Sequence, residues 1–246
     1  MRLTAALLAS SLLVPVLADA GEWQHTVATY LIGASIDGTA GVGSIEGDVE
    51  VGFDDILDNL EAGAMVAYRG ESGPWAVVAD LSYLALEADK DGLGPFGETR
   101  TNVQLDQLMV ELDGSYAMTE RLDAYVGLRY WDVDSEVTVL GGGPLGADVS
   151  GSLGEHWVDL LYGLRYEVPV GKSWTFVWRG DVAPMGTGSD LSWHTTAYFD
   201  WRVGEHASVL LGFRYLDVDY DDGEGADRFV MDVGQGGPAA GFAWAF

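Results

Sequence analysis

The chain has 246 residues, of which 48% are hydrophobic, 39 are acidic, 12 are basic and none is cysteine, for a formal charge of −27. Without cysteine there is no disulfide scaffold and no thiolate-bound zinc, and a charge of that sign repels nucleic-acid phosphates. Nine Trp, eleven Tyr and eight Phe carry more apolar surface than a solvated, disordered chain holds.

Residues 1–20 read as an export signal. Arg2 is the positive start, Leu3 to Leu17 is a short apolar run, and Ala18-Asp19-Ala20 offers small residues on either side of an acid, so cleavage is expected after Ala20. The run is too short for a comfortable membrane helix, and Asp80, Glu111 and Asp159 interrupt the best later candidates. Cleavage removes one base and one acid and leaves a mature domain, residues 21–246, still at −27.

From Gly21 onward apolar residues recur with a period of two. Strands are predicted at 24–36, 61–70, 75–87, 103–117, 122–134, 156–168, 173–185, 191–203, 207–220 and 228–246. Short connections alternate with long ones, the long ones at 37–60, 88–102, 135–155, 186–190 and 221–227. An even number of strands with tight turns at one rim and long loops at the other is the pattern of an all-β, closed antiparallel transmembrane β-barrel. Ten strands are expected, with eight or twelve as alternatives because residues 43–51 could form an extra extended piece. In the first long loop, Phe53, Ile56, Leu57 and Leu60 share one helical face behind Asp54 and Asp55. A short helix is predicted there, packed against the loops or folded into the mouth as a partial plug.

The two faces of the strands decide which solvent the barrel meets. One face carries Trp75, Val77, Leu81, Leu112, Val126, Leu128, Val158, Leu160, Trp178, Phe213 and their neighbours. A ring of about ten strands is only slightly wider than one that side chains already fill, so this bulky face must look outward. Water does not tolerate such a belt, whereas hydrocarbon requires it. A soluble, lipocalin-like carrier would invert the assignment, with bulky groups lining a cavity and charges in water.

The inward face then holds a defined set of charges. Three strands repeat a tetrapeptide, at Gly127–Tyr130, Gly163–Tyr166 and Gly212–Tyr215, and two copies extend to Gly-x-Arg-Tyr-x-Asp-Val-Asp. Alternation sends Arg69, Arg129, Arg165, Arg179, Arg202 and Arg214 into the lumen together with Glu61, Asp80, Glu111, Asp113, Asp159, Asp181 and Asp200. Six bases against seven acids predicts mutual pairing, with guanidinium forks bridging carboxylates across strands. The glycine two positions before each repeated arginine leaves room in the bore. The competing use of the same residues is a selectivity filter.

The chain ends in Phe242-Ala-Trp244-Ala-Phe246, aromatics at every second position up to the terminus. This ending resembles the signal by which outer-membrane proteins are recognised by the barrel-assembly machinery. Gly236-Gly237-Pro238 is tolerable in a strand only at a bulge or above the membrane. On the Gly127–Asp134 and Gly212–Tyr220 repeats, the late Gly-Pro and the terminal Phe, residues 21–246 resemble the small proteobacterial outer-membrane β-barrel proteins called porin-like or opacity-like. The resemblance implies residence in the outer membrane of a Gram-negative bacterium, in contact with its lipid and lipopolysaccharide. That group shares architecture more than activity, and no catalytic residue or cofactor carries over.

Most acids fall in or beside the long connections, so the outer mouth is expected to be negative, attracting small cations and repelling small anions. Divalent cations could be shared there between carboxylates and lipopolysaccharide phosphates. Asp217, Asp219 and Asp221 look like the opening of a calcium loop, but the glycine comes one residue late and Arg228 stands where a bidentate Glu is needed. An enzyme is the rival class. His194, near the outer rim with Ser192 on its face, and His156, close after Ser150 and Ser152, lack an evident third partner. The reading is therefore a narrow, porin-like or structural barrel without enzymatic activity, with a surface adhesin or a lipid- or peptide-hydrolysing barrel as alternatives. A continuous water path past the arginines would favour the channel. A sealed bore would leave a structural or surface-binding role.

Overall fold

Each backbone N–H or C=O left unbonded in hydrocarbon costs several kcal/mol, so a strand-built membrane domain has to close on itself. The computed structural model describes residues 23–43, 45–94, 97–140, 148–184 and 188–246, and the export signal lies outside them. The elements are β1 (Gln24–Ile32), β2 (Ser35–Val42), β3 (Ile45–Val51), α1 (Phe53–Asp58), β4 (Leu60–Ser72), β5 (Trp75–Gly94), β6 (Gly97–Ala117), β7 (Leu122–Leu140), β8 (Val149–Pro169), β9 (Trp174–Ala183), β10 (Leu191–Arg202), β11 (Ala207–Asp222) and β12 (Phe229–Ala245). Ten of these, β1 and β4 to β12, form an antiparallel ring that closes where β12 meets β1, with Thr26 opposite Ala245.

The predicted first strand, 24–36, is corrected. It breaks at Gly33 and resumes as β2 against the same partner in the same register, Ile32 opposite Ala239 and Ser35 opposite Gly236. Close approach explains the late Gly-Gly-Pro: a Cβ at Gly237 would collide with the Gly33 carbonyl, while the Gly33 N–H donates to the Pro238 carbonyl at 2.7 Å.

Three predicted loops are largely sheet. Residues 37–60 contain the β2–β3 hairpin and α1, β5 and β6 pair out to Gly94 opposite Gly97, and β7 and β8 pair out to Val139 opposite Val149. In β3 acids alternate with apolar residues from Ile45 to Val51, and the other extensions are rich in Gly, Ser and Thr, so none carries the bulky alternate face of a lipid-facing strand. β4, β9 and β10 stop lower. The outer rim therefore rises as two lobes, β5–β8 and β11–β12–β2–β3, with one notch above β9–β10 and another between β3 and β5. The second notch exists because β5 pairs with β4 only up to Leu86 and β3 pairs, among the described residues, with β2 alone. The short helix α1 fills the base of this notch. Its Ile56 is buried inward, whereas Phe53, Leu57 and Leu60 are exposed.

Outside the ring, Leu112, Leu128, Tyr162, Phe213, Phe242 and Trp244 stand exposed, Phe213 at 50%. This is the expected lipid face, and it is bounded by two aromatic girdles. The inner girdle includes Trp75 edge-on to Tyr116 (4.8 Å between ring centroids) and Trp174 stacked on Trp201 (5.3 Å). At the outer girdle, tyrosine hydroxyls reach upward to carboxylates: Tyr83 to Asp106 (2.9 Å), Tyr130 to Asp132 (3.2 Å) and Tyr215 to Asp217 (3.3 Å).

Candidate functional site

At mid-height the bore is filled by a layer of charge. Strand alternation places Glu111 and Asp113 of β6, Tyr125 and Arg129 of β7, Arg179 and Asp181 of β9, and Ser192, His194 and Thr196 of β10 on the inner face. Arg129 is wholly buried. It donates to Glu111 Oε2 from Nε (2.9 Å) and Nη2 (2.6 Å), to Asp181 Oδ1 (2.7 Å) and to Ser192 Oγ (3.1 Å). Arg179 binds Glu111 and Asp113 Oδ2 (2.7 Å), donates to the Tyr125 hydroxyl (2.8 Å) and stacks its guanidinium over the Tyr125 ring. Tyr125 in turn donates to Asp181 (2.9 Å). Beside this group Arg214 bonds the Tyr30 hydroxyl, which donates to both oxygens of Asp80 (2.7 and 2.9 Å). Removing charges from water costs several kcal/mol per ion, and this layer offsets that cost by bonding its guanidinium groups to several carboxylates at once. Asp113 Oδ1 is the one buried side-chain oxygen without a partner among the described residues.

The repeated glycines serve this layer in a way the spacing alone did not reveal. A Cβ at Gly127 would collide with the Asp113 carboxylate, and one at Gly163 with the Tyr125 ring. The space belongs to side chains of the neighbouring strand rather than to the arginine two residues on.

A second polar cluster lies near the inner rim. Arg69 pairs with Glu71 (2.6 Å) and Asp123 (3.0 Å), and Arg165 pairs with Asp123 (3.6 Å) and Glu167. Between the two clusters is a cavity of about 350 Å³, lined by Tyr30, Asp80, Glu111, Arg179, Thr196 and Arg214 among others.

Above the charge layer the bore changes character, which corrects the expectation of a polar lumen throughout. Met109, Trp131, Val133, Trp157, Leu216, Val218 and Tyr220 point inward and form a buried apolar cluster. Trp157 stacks between Trp131 (5.6 Å) and Tyr220 (4.0 Å) and so bridges the notch above β9–β10. Among the described residues Asp159 pairs with no arginine. It accepts bonds from Trp131 Nε1 (3.1 Å) and from the backbone N–H (2.8 Å) and hydroxyl (3.0 Å) of Ser189, tying the connection before β10 into the core. A second cavity, of about 190 Å³, opens above this cluster and shares no lining residue with the first.

The octapeptide repeat now has a physical meaning. In β7, Leu128 faces lipid and Arg129 the bore, Tyr130 marks the girdle, and beyond it Trp131 and Val133 face in while Asp132 and Asp134 face out. In β11 the same steps are Phe213, Arg214, Tyr215, then Leu216 and Val218 in, Asp217 and Asp219 out. Both strands run outward, so the motif records the passage from lipid to water. The third copy, Gly163–Tyr166, lies on β8, which runs inward, and its Arg165 reaches the inner rim instead.

Arg129, Arg179, Glu111, Asp113 and Asp181 meet in one cluster, and Arg214 joins Asp80. Other expected lumen residues fall elsewhere. Glu61 sits at a register shift between Leu60 and Ala62 and is exposed, so it is not part of the lumen network. Arg202 is exposed at the inner rim, and Asp200 lines the lower cavity without an ion pair among the described residues. Asp217, Asp219 and Asp221 alternate along the outer face of β11, so they are spread along a strand instead of wrapping one ion, and Asp221 is occupied by Arg228 (2.7 Å). His194 is buried at mid-barrel, not at the rim. Its Nδ1 meets Asp181 (3.0 Å) and its Nε2 meets the Thr196 hydroxyl (2.7 Å). Tyr30, Tyr125 and Asp123 were missed, although Asp123 and Tyr125 share the parity of Arg129.

At the mouth the acids shift one another. Burial, reinforced by Asp232, Asp190, Asp217 and Asp221, pushes the Asp219 carboxyl up, whereas the hydrogen bond from Arg228 holds the Asp221 carboxyl down. Burial pushes the Tyr220 phenol up to about 12. Arg228 also donates to Glu46 (2.6 Å) and so links β3 to β11.

No protein-family model matches the chain, and no curated protein matches it in sequence. Among solved structures it is similar to the outer membrane protease OmpT from Escherichia coli, at 10% identity over 94% of this chain and 99% of that one with a TM-score of 0.57. It also matches the translocator domain of the autotransporter NalP from Neisseria meningitidis, at 16% identity over 94% and 91% with a TM-score of 0.49. A third match is Ail, the attachment invasion locus protein of Yersinia pestis, at 11% identity over 91% and 98% with a TM-score of 0.38. The chain has the fold of the closed outer-membrane β-barrels.

Proposed function

We propose that the chain is an integral outer-membrane barrel of Gram-negative bacteria, exported with a cleaved signal and inserted by the barrel-assembly machinery, whose bore is sealed and whose role is structural. The supporting observation is the two-tier filling of the bore, a fully buried Arg129 with its carboxylates beneath an equally buried Trp131. This narrows the porin-like reading to, at most, a leak favouring small cations, drawn by the acid-rich mouth. Resemblance to porin-like and opacity-like proteins is then one of architecture. Acids just above the outer girdle, Asp106, Asp132 and Asp217, suit divalent cations shared with lipopolysaccharide phosphates. In planar lipid bilayers the purified protein should give no steady conductance. A large conductance would overturn the sealed bore, and anion selectivity would also overturn the role given to the mouth.

The rival hydrolase reading has one observation in its favour, the row Asp181, His194, Thr196, an acid, an imidazole and a hydroxyl ending at the lower cavity. Asp181 is already engaged by Arg129 and Tyr125. Serine- or threonine-directed phosphonates should therefore leave Thr196 unlabelled.

A further inference from the structure

The outer cavity is not used by the sealed bore, and its construction is that of a ligand site. It lies beyond the outer girdle, because its wall residues Leu105 and Val133 flank Asp106 and Asp132, the carboxylates that cap Tyr83 and Tyr130. Lipid therefore stops below it, and an occupant arrives from the medium.

Its walls are supplied by both lobes: Ala40 and Val49 of the β2–β3 hairpin, Leu86 and Leu105 of β5 and β6, Met231 and Val233 of β12, with Ile56 of α1 at the notch. Gln107 and Gln235 form its polar floor, and each amide donates to the other (3.3 and 3.0 Å), so the floor presents no strong unmet demand for a polar ligand. Asp55 is the only charged residue in the lining among the described residues, and it lies at the exposed edge, where its carboxylate accepts the Gly52 N–H.

We infer that this cavity binds a small uncharged apolar molecule, about the size of one aromatic ring, taken from the external medium. The volume, about 190 Å³, exceeds the ~150 Å³ at which an apolar cavity stays dry and holds benzene. Apolar walls disfavour water, which needs two to four polar partners. Among the described residues no base lines the site, so a carboxylate finds only the field of Asp55 and the acidic mouth against it. An ammonium would have to leave water for the apolar interior without a buried partner, a transfer costing several kcal/mol. Neutrality is thus part of the assignment.

Equilibrium dialysis of labelled toluene, benzylamine and benzoate against nanodiscs carrying the protein, with empty nanodiscs as reference, tests it. Toluene should be retained saturably, about one molecule per barrel, with benzylamine and benzoate each held at least about tenfold more weakly, a difference of ~1.4 kcal/mol. Ala40→Phe and Val49→Phe each fill the cavity from the β2–β3 hairpin, one from each of its strands. Each should weaken toluene binding about tenfold while the barrel keeps its heat-modifiable migration on gels. Thr196→Val, in the lower cavity, should leave binding unchanged. Equal retention by loaded and empty discs, insensitivity to both filling variants where either folds, or benzylamine or benzoate binding as well as toluene would each overturn the inference. None of these outcomes bears on conductance, so the sealed bore stands or falls separately.

Discussion

Below the outer girdle the barrel is polar within and apolar without; above it the relation reverses. At membrane height Arg129, Glu111 and Asp181 fill the centre while Leu128 and Phe213 meet lipid. In the outer lobes Trp131, Leu216 and Val218 fill the centre while Asp132, Asp217 and Asp219 meet water. The same strands serve both zones without a change of register, so the reversal lies wholly in which residue types occupy the alternate positions. The lesson concerns driving forces. Lipid tails are as apolar as leucine, so burial from water cannot hold the membrane zone's interior, and directional ion pairs do so. Water surrounds the lobes, and there ordinary apolar burial returns, worth about 25 cal/mol per Å².

Breaking each zone separately sharpens this contrast. The largest effect is expected from Arg129→Met, which takes the wholly buried guanidinium from Glu111 and Asp181, leaves them to Arg179, Tyr125 and His194, and should cost about 3–5 kcal/mol, read from urea unfolding of the reconstituted barrel. Leu216→Ala empties part of the outer cluster and should cost about 2–4 kcal/mol. Hydrogen exchange should place its effect in the lobes, with the membrane zone of β6 and β7 unchanged; faster exchange in both zones alike would mean that they are one cooperative unit. Arg165→Met, in the partly exposed inner cluster, should cost less than Arg129→Met, about 1–2 kcal/mol. Because that cluster is separate from the Arg129 layer, the double variant should add to within ~0.5 kcal/mol.

The smallest effect is that of pH on the mouth. Asp219 has a raised carboxyl, so its ionised form burdens the fold at neutral pH and the strain is relieved as pH falls through its folded value. Asp221 is lowered by Arg228, so it contributes above its unfolded value, near 3.9, and that contribution is lost as pH falls through the still lower folded value. Limited proteolysis of the β2–β3 hairpin should first slow and then quicken as pH drops from 7 to about 3. Arg228→Met should remove the second phase.

The ring of ten strands, its lipid face and the core of the arginine layer were legible because alternation fixes which way each residue points. Leu128 and Arg129 cannot share a side of the sheet. What alternation does not carry is height. Gly163-Leu-Arg165-Tyr166 matches the other repeats letter for letter in its glycine, arginine and tyrosine, yet it runs toward the inner rim and joins a different cluster. Nor does alternation say which solvent lies outside. Val133 with Asp134, and Val218 with Asp219, fall at the ends of predicted strands, and their alternation alone does not show that the outer positions there meet water instead of lipid. Glu61 was lost to a single extra residue in the ladder, which alternation cannot foresee. Partners across the bore, such as Tyr125 with Asp181, depend on the stagger between strands and appear only when the ring is closed.

One consequence follows from β12 having two neighbours on its seam, β1 along its lower half and β2 along its upper half. The chain's final segment is the spine on which its earliest hairpin is laid. That hairpin cannot take its place until Phe229–Gly236 of β12 are in the sheet, so an antibody raised to the folded Glu46–Glu50 tip would score assembly of the closing strand, barrel by barrel, on intact cells.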